Sequence, residues 1–205
     1  MEKEIVLSKD SFAPVHTAVE EAVLDGKNTL RVSKAEKINL YDQNTYAKLE
    51  TEEFHNGIIE VDMYSKYLPD APDFARGFIG IAYRINEDDS EFESFYVRPS
   101  NGRSCTDPVR RSHGCQYFSY PGYTFDYFRE FGITDFEAQV DIDLEEWIHL
   151  KAEIMDEKAS FYINDKLVLV VENQKHGKGI KGKMGMFVDI GTDAYFANLK
   201  ITSLD

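Results

Sequence analysis

Polar and apolar positions alternate along much of this chain with a period of two, the repeat of a strand that buries one face and solvates the other. In Gly57–Lys66, GIIEVDMYSK, the pattern sets Ile59, Val61 and Met63 on one face and Ile58, Glu60, Asp62 and Tyr64 on the other. Glu146–Met155, EWIHLKAEIM, repeats it with His149, Lys151 and Glu153 as the polar set. Ser160–Asn164 and Leu167–Glu172 form a hairpin across Asn164-Asp165, a favourable two-residue turn. Met184–Ile190 and Ala194–Thr202 are a further alternating pair, turning at Gly191-Thr192-Asp193. Gly77–Ile85, GFIGIAYRI, is apolar on both parities and reads as a central strand, with Gly77 and Gly80 leaving room for a ligand or for close sheet packing.

In FESFYVRP, Phe92, Ser94, Tyr96 and Arg98 share one face and Glu93, Phe95 and Val97 the other, and Pro99 ends the pairing. Strands are also predicted at Thr29–Lys34, Tyr46–Thr51, Gln116–Tyr120 and Phe136–Val140, with short pieces at Glu4–Ser8 and Ile38–Tyr41. Two segments are ambiguous. Val15–Leu24 suits a short helix and a strand equally, and Asp25-Gly26 turns the chain after it. Tyr123–Phe131, YTFDYFREF, has the spacing of an amphipathic helix as well as of an edge strand, and reads as a loop packed on the rim by Phe125, Phe128 and Phe131 in preference to a saccharide platform. Roughly a dozen short strands, with turns between them and no second domain boundary, predict one all-β domain over residues 1–205, an antiparallel two-sheet sandwich.

Composition agrees with that class: 14 Phe and 12 Tyr against a single Trp suit strands and half-buried surfaces better than a helical bundle. A formal charge of -14 repels phosphate backbones and anionic membranes, so neither nucleic acid nor membrane is an expected partner. The basic exceptions are Arg103, Arg110 and Arg111, and the Lys175–Lys183 run KHGKGIKGK, which lacks the P-loop pattern and reads as a solvated loop. No apolar run is long enough to span a bilayer, and the first residues carry no secretory h-region, so a soluble cytoplasmic protein is expected. In a reducing compartment Cys105 and Cys115 would be free rather than bonded. With His113 they do not match zinc spacings, and no metal site is expected from these residues.

The late run EEWIHLKAEIMDEKASFYIND with its LVLVVEN return, then KMGMFVDIGTDAYFANLKI, together with GIIEVDMYSK, GFIGIAYRI and SFYVRP, carries a resemblance. From Gly57 to the C-terminus, about two thirds of the chain, the sequence resembles the concanavalin A-like (laminin-G-like) jelly rolls of legume-type lectins, laminarinase-like glycosidases and a group of bacterial glycan hydrolases. The resemblance implies a jelly-roll sandwich of two curved antiparallel sheets whose concave face holds an oligo- or polysaccharide. The glycosidases place catalytic carboxylates in an E-x-D-x-x-E pattern. The nearest match, Glu60-Val61-Asp62-Met63-Tyr64-Ser65, has Ser65 where the second Glu should stand, so Glu60 and Asp62 read as a solvated strand face. Related domains also carry a structural calcium near the termini. No oxygen-rich loop of EF-hand type occurs here, so calcium stays unplaced and no other cofactor is expected.

The candidate site is Glu91–Tyr120, where an aromatic strand runs into a loop dense in Arg, Asn, Asp, His and Gln. A pyranose needs flat aromatic platforms for its C–H faces and bidentate polar groups for its hydroxyls. Tyr96, Arg98, Asn101, Arg103, Gln116 and Tyr117 are the ligand-binding candidates, and Glu93, Asp107 and His113 the acid/base candidates for glycan processing. Glu93 lies on the parity opposite Tyr96 and Arg98, so it is either a buried functional acid or a sign that the faces are inverted. Asp126 and Glu130 are further carboxylates, and carboxylate separation decides a glycosidase mechanism. Two functions compete: a saccharide-binding jelly roll, with or without hydrolase activity, and a non-catalytic protein-interaction or structural sandwich whose loop docks a partner. The oligomeric state is left open.

Overall fold

The computed structural model describes residues 2–35, 39–177 and 180–204. Two antiparallel sheets face each other. In the first, the strands run in spatial order β13 (Lys166–Val171), β12 (Lys158–Ile163), β11 (Trp147–Met155), β6 (Gly57–Tyr67), β15 (Thr192–Ser203), β4 (Lys27–Lys34) and β3 (Thr17–Leu24), and β1 (Glu2–Glu4) pairs with the far end of β15. The second runs β10 (Glu137–Ala138), β9 (Cys115–Tyr120), β8 (Phe92–Val97), β7 (Ile79–Ile85), β14 (Gly182–Val188), β5 (Tyr46–Phe54) and β2 (Phe12–Val15). Neighbours such as β6 and β15 are far apart in sequence, as the long returns of a jelly roll require.

The period-two reading assigns the faces correctly. Ile59, Val61 and Met63 of β6 and Ile148, Leu150 and Ala152 of β11 point inward and meet Ile79, Ile81, Phe95 and Val97 from the opposite sheet. Across the gap Phe95 stacks on Phe161, with ring centroids 4.1 Å apart and planes 7° from parallel. Burying each large apolar side chain in this layer contributes about 1.5–3 kcal/mol, which makes the inter-sheet core the main source of stability.

Val15–Leu24 is strand rather than helix. Thr17–Leu24 forms an unbroken ladder with β4, closed at Asp25 (φ 51°) and Gly26 (φ 76°), the left-handed pair that a tight hairpin turn demands. A partner strand at hand overrides weak local propensity. At Glu4–Ser8 only Glu4 is in a strand, and the Ser8 side chain caps a short 3-10 turn at Lys9–Ser11. Of the segment predicted as strand at Ile38–Tyr41, Ile38 lies outside the described residues and 39–41 are irregular. Only Glu137–Ala138 of Phe136–Val140 pairs as strand.

Gly77 and Gly80 serve packing. A Cβ at Gly80 would stand 2.0 Å from the Phe95 carbonyl on β8, and one at Gly77 (φ 71°) would stand 2.5 Å from Leu144. In the last strand, Asn198 adopts φ 53° at a bulge and donates to Asp62 Oδ2 at 2.7 Å. That is why the NLKI run breaks alternation at an Asn, a residue that tolerates the left-handed conformation.

Cys105 and Cys115 are both free, and burial in the core pushes the Cys115 thiol up to about 12. Among the described residues, no cluster of three or more His, Cys, Asp or Glu is placed to hold a metal. No described helix is long and apolar enough to cross a membrane.

Candidate functional site

The outer face of the second sheet is not open. Tyr46, Ala82, Phe92, Tyr96, Phe118 and Phe187 form a second apolar cluster there, separate from the inter-sheet core. Over it lies the segment predicted as a rim loop, which contains a helix, α2 (Phe125–Glu130). Its apolar residues fall three apart, so Phe125 and Phe128 turn to the sheet and Phe128 is buried. Phe131 does not join them, being 62% exposed.

The site residues expected on an open face therefore lie beneath this cover. Tyr96 and Gln116 are buried, and Arg98 is only 5% exposed. Arg98 organises the buried layer: Nη2 donates to the Tyr96 hydroxyl at 2.9 Å and to Gln116 Oε1, and Nη1 donates to the His113 carbonyl at 3.1 Å and to Glu137 Oε1 at 3.0 Å. The Phe125 ring sits 5.8 Å from its guanidinium.

The other candidates scatter, and the structure does not bring the three acid/base residues together. Glu93 is wholly buried on the core parity, where it accepts from the Tyr117 hydroxyl at 2.5 Å and from the His176 backbone N–H at 3.0 Å. The faces were not inverted, and Glu93 with Tyr117 ties the segment after β13 to the sandwich instead of facing Arg98. Asp107 caps α1 (Pro108–Arg111), accepting from the N–H groups of Val109 and Arg110. Arg103 turns away to Glu146 at 2.6 Å and Asp143 at 3.2 Å. His113 places Nδ1 3.0 Å from Glu137 Oε2. Burial pulls its pKa below the ordinary histidine value, with Arg129 and Arg98 acting the same way and Glu137 opposing.

Where α2 meets the Pro99–Asn101 turn and α1, a cavity of about 240 Å³ remains. Arg98, Asn101 and His113 line it, three of the residues the sequence singled out. Val109 and Arg110 join them from the same stretch, and the rest of its wall comes from outside it: the rings of Tyr41, Phe74, Phe78 and Phe125, and the guanidiniums of Arg76 and Arg129. Tyr41 packs edge-on to Phe74 and Phe78, at centroid distances of 6.1 and 5.7 Å. Asn101 accepts from Arg110 Nε at 3.1 Å and donates to the His113 carbonyl at 3.1 Å, so the loop is fixed around the opening. One available signal was the basic cluster of Arg103, Arg110 and Arg111 in an acidic chain; another was the aromatic pair flanking the Pro-rich loop before β7, Tyr67 and Phe74.

A buried acid pair anchors the cover. Asp42 accepts from the Phe125 N–H at 2.6 Å, and its own N–H donates to Asp189 at 2.9 Å. Asp189 pairs with Lys34 at 3.0 Å. Burial and the nearby Asp189 charge push the Asp42 carboxyl up to about 7, against the Phe125 N–H, Arg98 and the Tyr96 hydroxyl.

A larger groove, about 1130 Å³, crosses the outer face of the first sheet between β1, β3 and β6. No Phe, Tyr or Trp lines it. Its central polar groups are already paired, His149 with Asp62 at 2.9 Å and with Glu60 at 3.4 Å, and Asp62 with Lys27 at 3.1 Å. A sugar would find no flat ring there, and the central bidentate groups are already engaged.

Two antiparallel sheets in this strand order, with a polar and aromatic cavity at the edge of one outer face, define a concanavalin A-like jelly-roll sandwich. No family model matches the chain, and no curated protein matches it in sequence. Among solved structures it is similar in fold to the carbohydrate-binding module CBM66 from Bacillus subtilis, at a TM-score of 0.59 and 15% identity over 94% of this chain and 96% of that one. A Bacillus subtilis protein of unknown function with a galectin-like fold aligns at 0.57 and 13% identity, covering 99% and 98%. The β-glucanase of Bacillus licheniformis aligns at 0.51 and 11%, covering 89% and 82%. At these identities the likeness establishes the fold.

Proposed function

We propose that the protein is a saccharide-binding jelly roll that holds one sugar unit in the cavity between α2, the Pro99–Asn101 turn and α1, and that it binds without hydrolysing. The observation that carries this reading is the make-up of the wall: aromatic rings from Tyr41, Phe74, Phe78 and Phe125 stand beside Asn101, His113 and guanidiniums, and among the described residues no carboxylate lines the space. Rings meet the C–H face of a pyranose while the polar groups take its hydroxyls. Most glycoside hydrolases flank the scissile bond with two carboxyl groups. Glu137, which stands behind the lining residues Arg98, Arg129 and His113, is engaged by the two guanidiniums through Oε1. At about 240 Å³ the space falls below the roughly 300–1,000 Å³ of pockets that enclose drug-sized ligands, which suits a single unit. The folds of a carbohydrate-binding module and a β-glucanase among the neighbours support the ligand class.

Phe74 is the residue on which to test it, because it is 37% exposed and its loss leaves the core untouched. In a glycan-array screen coupled to a product assay, the wild type is expected to retain saccharides and release none. Phe74→Ala should weaken the best binder about three- to tenfold at an unchanged melting temperature. Product release would overturn the non-catalytic reading, and an unchanged affinity would move the site elsewhere.

A further inference from the structure

The charge of the cavity wall names the ligand more narrowly than its shape does. Four guanidinium groups line it, those of Arg76, Arg98, Arg110 and Arg129, in a chain whose formal net charge is -14. Arg98 and Arg129 share one carboxylate, Glu137, at 3.0 and 3.1 Å. The other two have none. Arg76 donates only to the backbone carbonyls of Asp73 and Ala75, at 2.8 and 2.7 Å. Arg110 bonds Asn101 and Ser100, at 3.1 Å from Nε and 3.3 Å and 3.5 Å from Nη2. Among the described residues neither forms an ion pair, although most of the other Arg and Lys side chains on this acidic surface find a carboxylate.

Guanidiniums lining one small cavity repel one another, and a low-dielectric aromatic wall strengthens that repulsion. An oxyanion between Arg76 and Arg110 would relieve it and would accept the forked N–H groups that their present partners leave unused. The rings of Tyr41, Phe74 and Phe125 remain for an apolar face, so a bare inorganic anion would leave half the wall idle.

Resting on the saccharide reading, we infer that the bound unit is an anionic sugar, one carrying a carboxylate or a sulfate ester directed at Arg76 and Arg110. Carboxylate and sulfate offer the same oxyanion chemistry to a guanidinium, and the test separates them.

The experiment is a calorimetric titration of the intact chain with glucuronic and galacturonic acids, glucose, galactose, the 6-sulfates of both neutral sugars, and inorganic sulfate. At least one acidic sugar is expected to bind tenfold or more tightly than its neutral parent, and whether uronate or sulfate leads identifies the group. The double variant Arg76→Gln/Arg110→Gln should erase that margin while keeping the wild-type circular dichroism spectrum and its affinity for the neutral parent sugar. Equal affinity for acidic and neutral sugars would overturn the anion inference and leave the saccharide reading standing. Inorganic sulfate binding with no sugar bound would do the reverse, and no binding of any probe would overturn both. A double variant that keeps the full margin would overturn the assignment to Arg76 and Arg110.

Discussion

The outer faces of the two sheets have the same backbone geometry and opposite fates. On the first, Glu60, Asp62, His149, Lys151 and Glu153 make a half-exposed polar lattice linked by ion pairs such as Lys151–Glu153 at 2.6 Å. On the second, Tyr46, Phe92, Tyr96, Phe118 and Phe187 are buried in one cluster with Phe128 of α2, and most polar contacts among them are internal, although Gln116 Nε2 has no partner among the described residues. Ser94 Oγ donates to the Ile81 carbonyl at 2.8 Å, and Gln116 Oε1 accepts from Arg98. Period two fixes which residues share a face; whether that face meets water depends on a segment that comes from elsewhere in the chain. Covering most of one outer face reduces an open groove to an edge cavity, and this is what confines the proposed ligand to one unit.

The largest effect that would break the comparison is at Arg98. Arg98→Ala removes a guanidinium whose side chain is 6% exposed, takes the strongest donor from the Tyr96 hydroxyl and Gln116, and leaves the buried Glu137 with only the half-exposed Arg129 and the His113 ring beside it. Breaking a buried pair from one side costs about 3–5 kcal/mol, so urea unfolding should show a loss of that size. A loss under about 1 kcal/mol, typical of a solvated pair, would mean that α2 does not seal the face.

Much of the first face was legible in the sequence, and little of the second. GIIEVDMYSK could be sorted into core and solvent sides by parity because one side does meet solvent. In FESFYV the parities were also sorted correctly, yet all six residues are buried, and parity cannot distinguish a solvated face from one covered at a distance. The cover was visible as an ambiguity in YTFDYFREF, whose helical spacing of Phe125 and Phe128 was the correct branch. Three of the cavity residues, Arg98, Asn101 and His113, were legible because they lie close in sequence on a strand and its loop. Tyr41, Phe74, Arg76 and Arg129 were not, because three separate segments bring them together and no local pattern records that convergence.

A middle-sized effect tests the anchor of the cover through pH. The folded pKa of Asp42, about 7, lies above its unfolded value near 3.8, so the folded state binds this proton more tightly. The contribution is fully present below about pH 4 and is lost as pH rises through 7, when an ionised carboxylate must sit dry beside Asp189. Asp42→Asn keeps an oxygen for the Phe125 N–H and cannot ionise. Its stability relative to wild type should therefore increase between pH 4 and 8, by up to about 4 kcal/mol, in paired denaturant titrations. A flat difference across that window would show that Asp42 is not ionising in place.

The smallest effect is expected on the open face, and it sharpens the contrast because the pair there is as close as any under α2. Lys151 and Glu153 are neighbours on one side of β11, 2.6 Å apart, with side chains 33% and 40% exposed. Hydrogen bonding between them raises the Lys151 pKa and lowers that of Glu153, yet water screens both and can replace either partner. Lys151→Ala should thus cost about 0–1 kcal/mol in urea unfolding and leave saccharide binding unchanged, since neither residue lines the cavity. The Tyr162 ring, 5.1 Å from the Lys151 ammonium, loses only a solvated cation–π contact and stays bonded to Glu153 at 3.1 Å. Should Lys151→Ala instead destabilise the protein as strongly as Arg98→Ala, a short ion-pair distance rather than exclusion of water would set the energy, and the two faces would not differ in the way their burial implies.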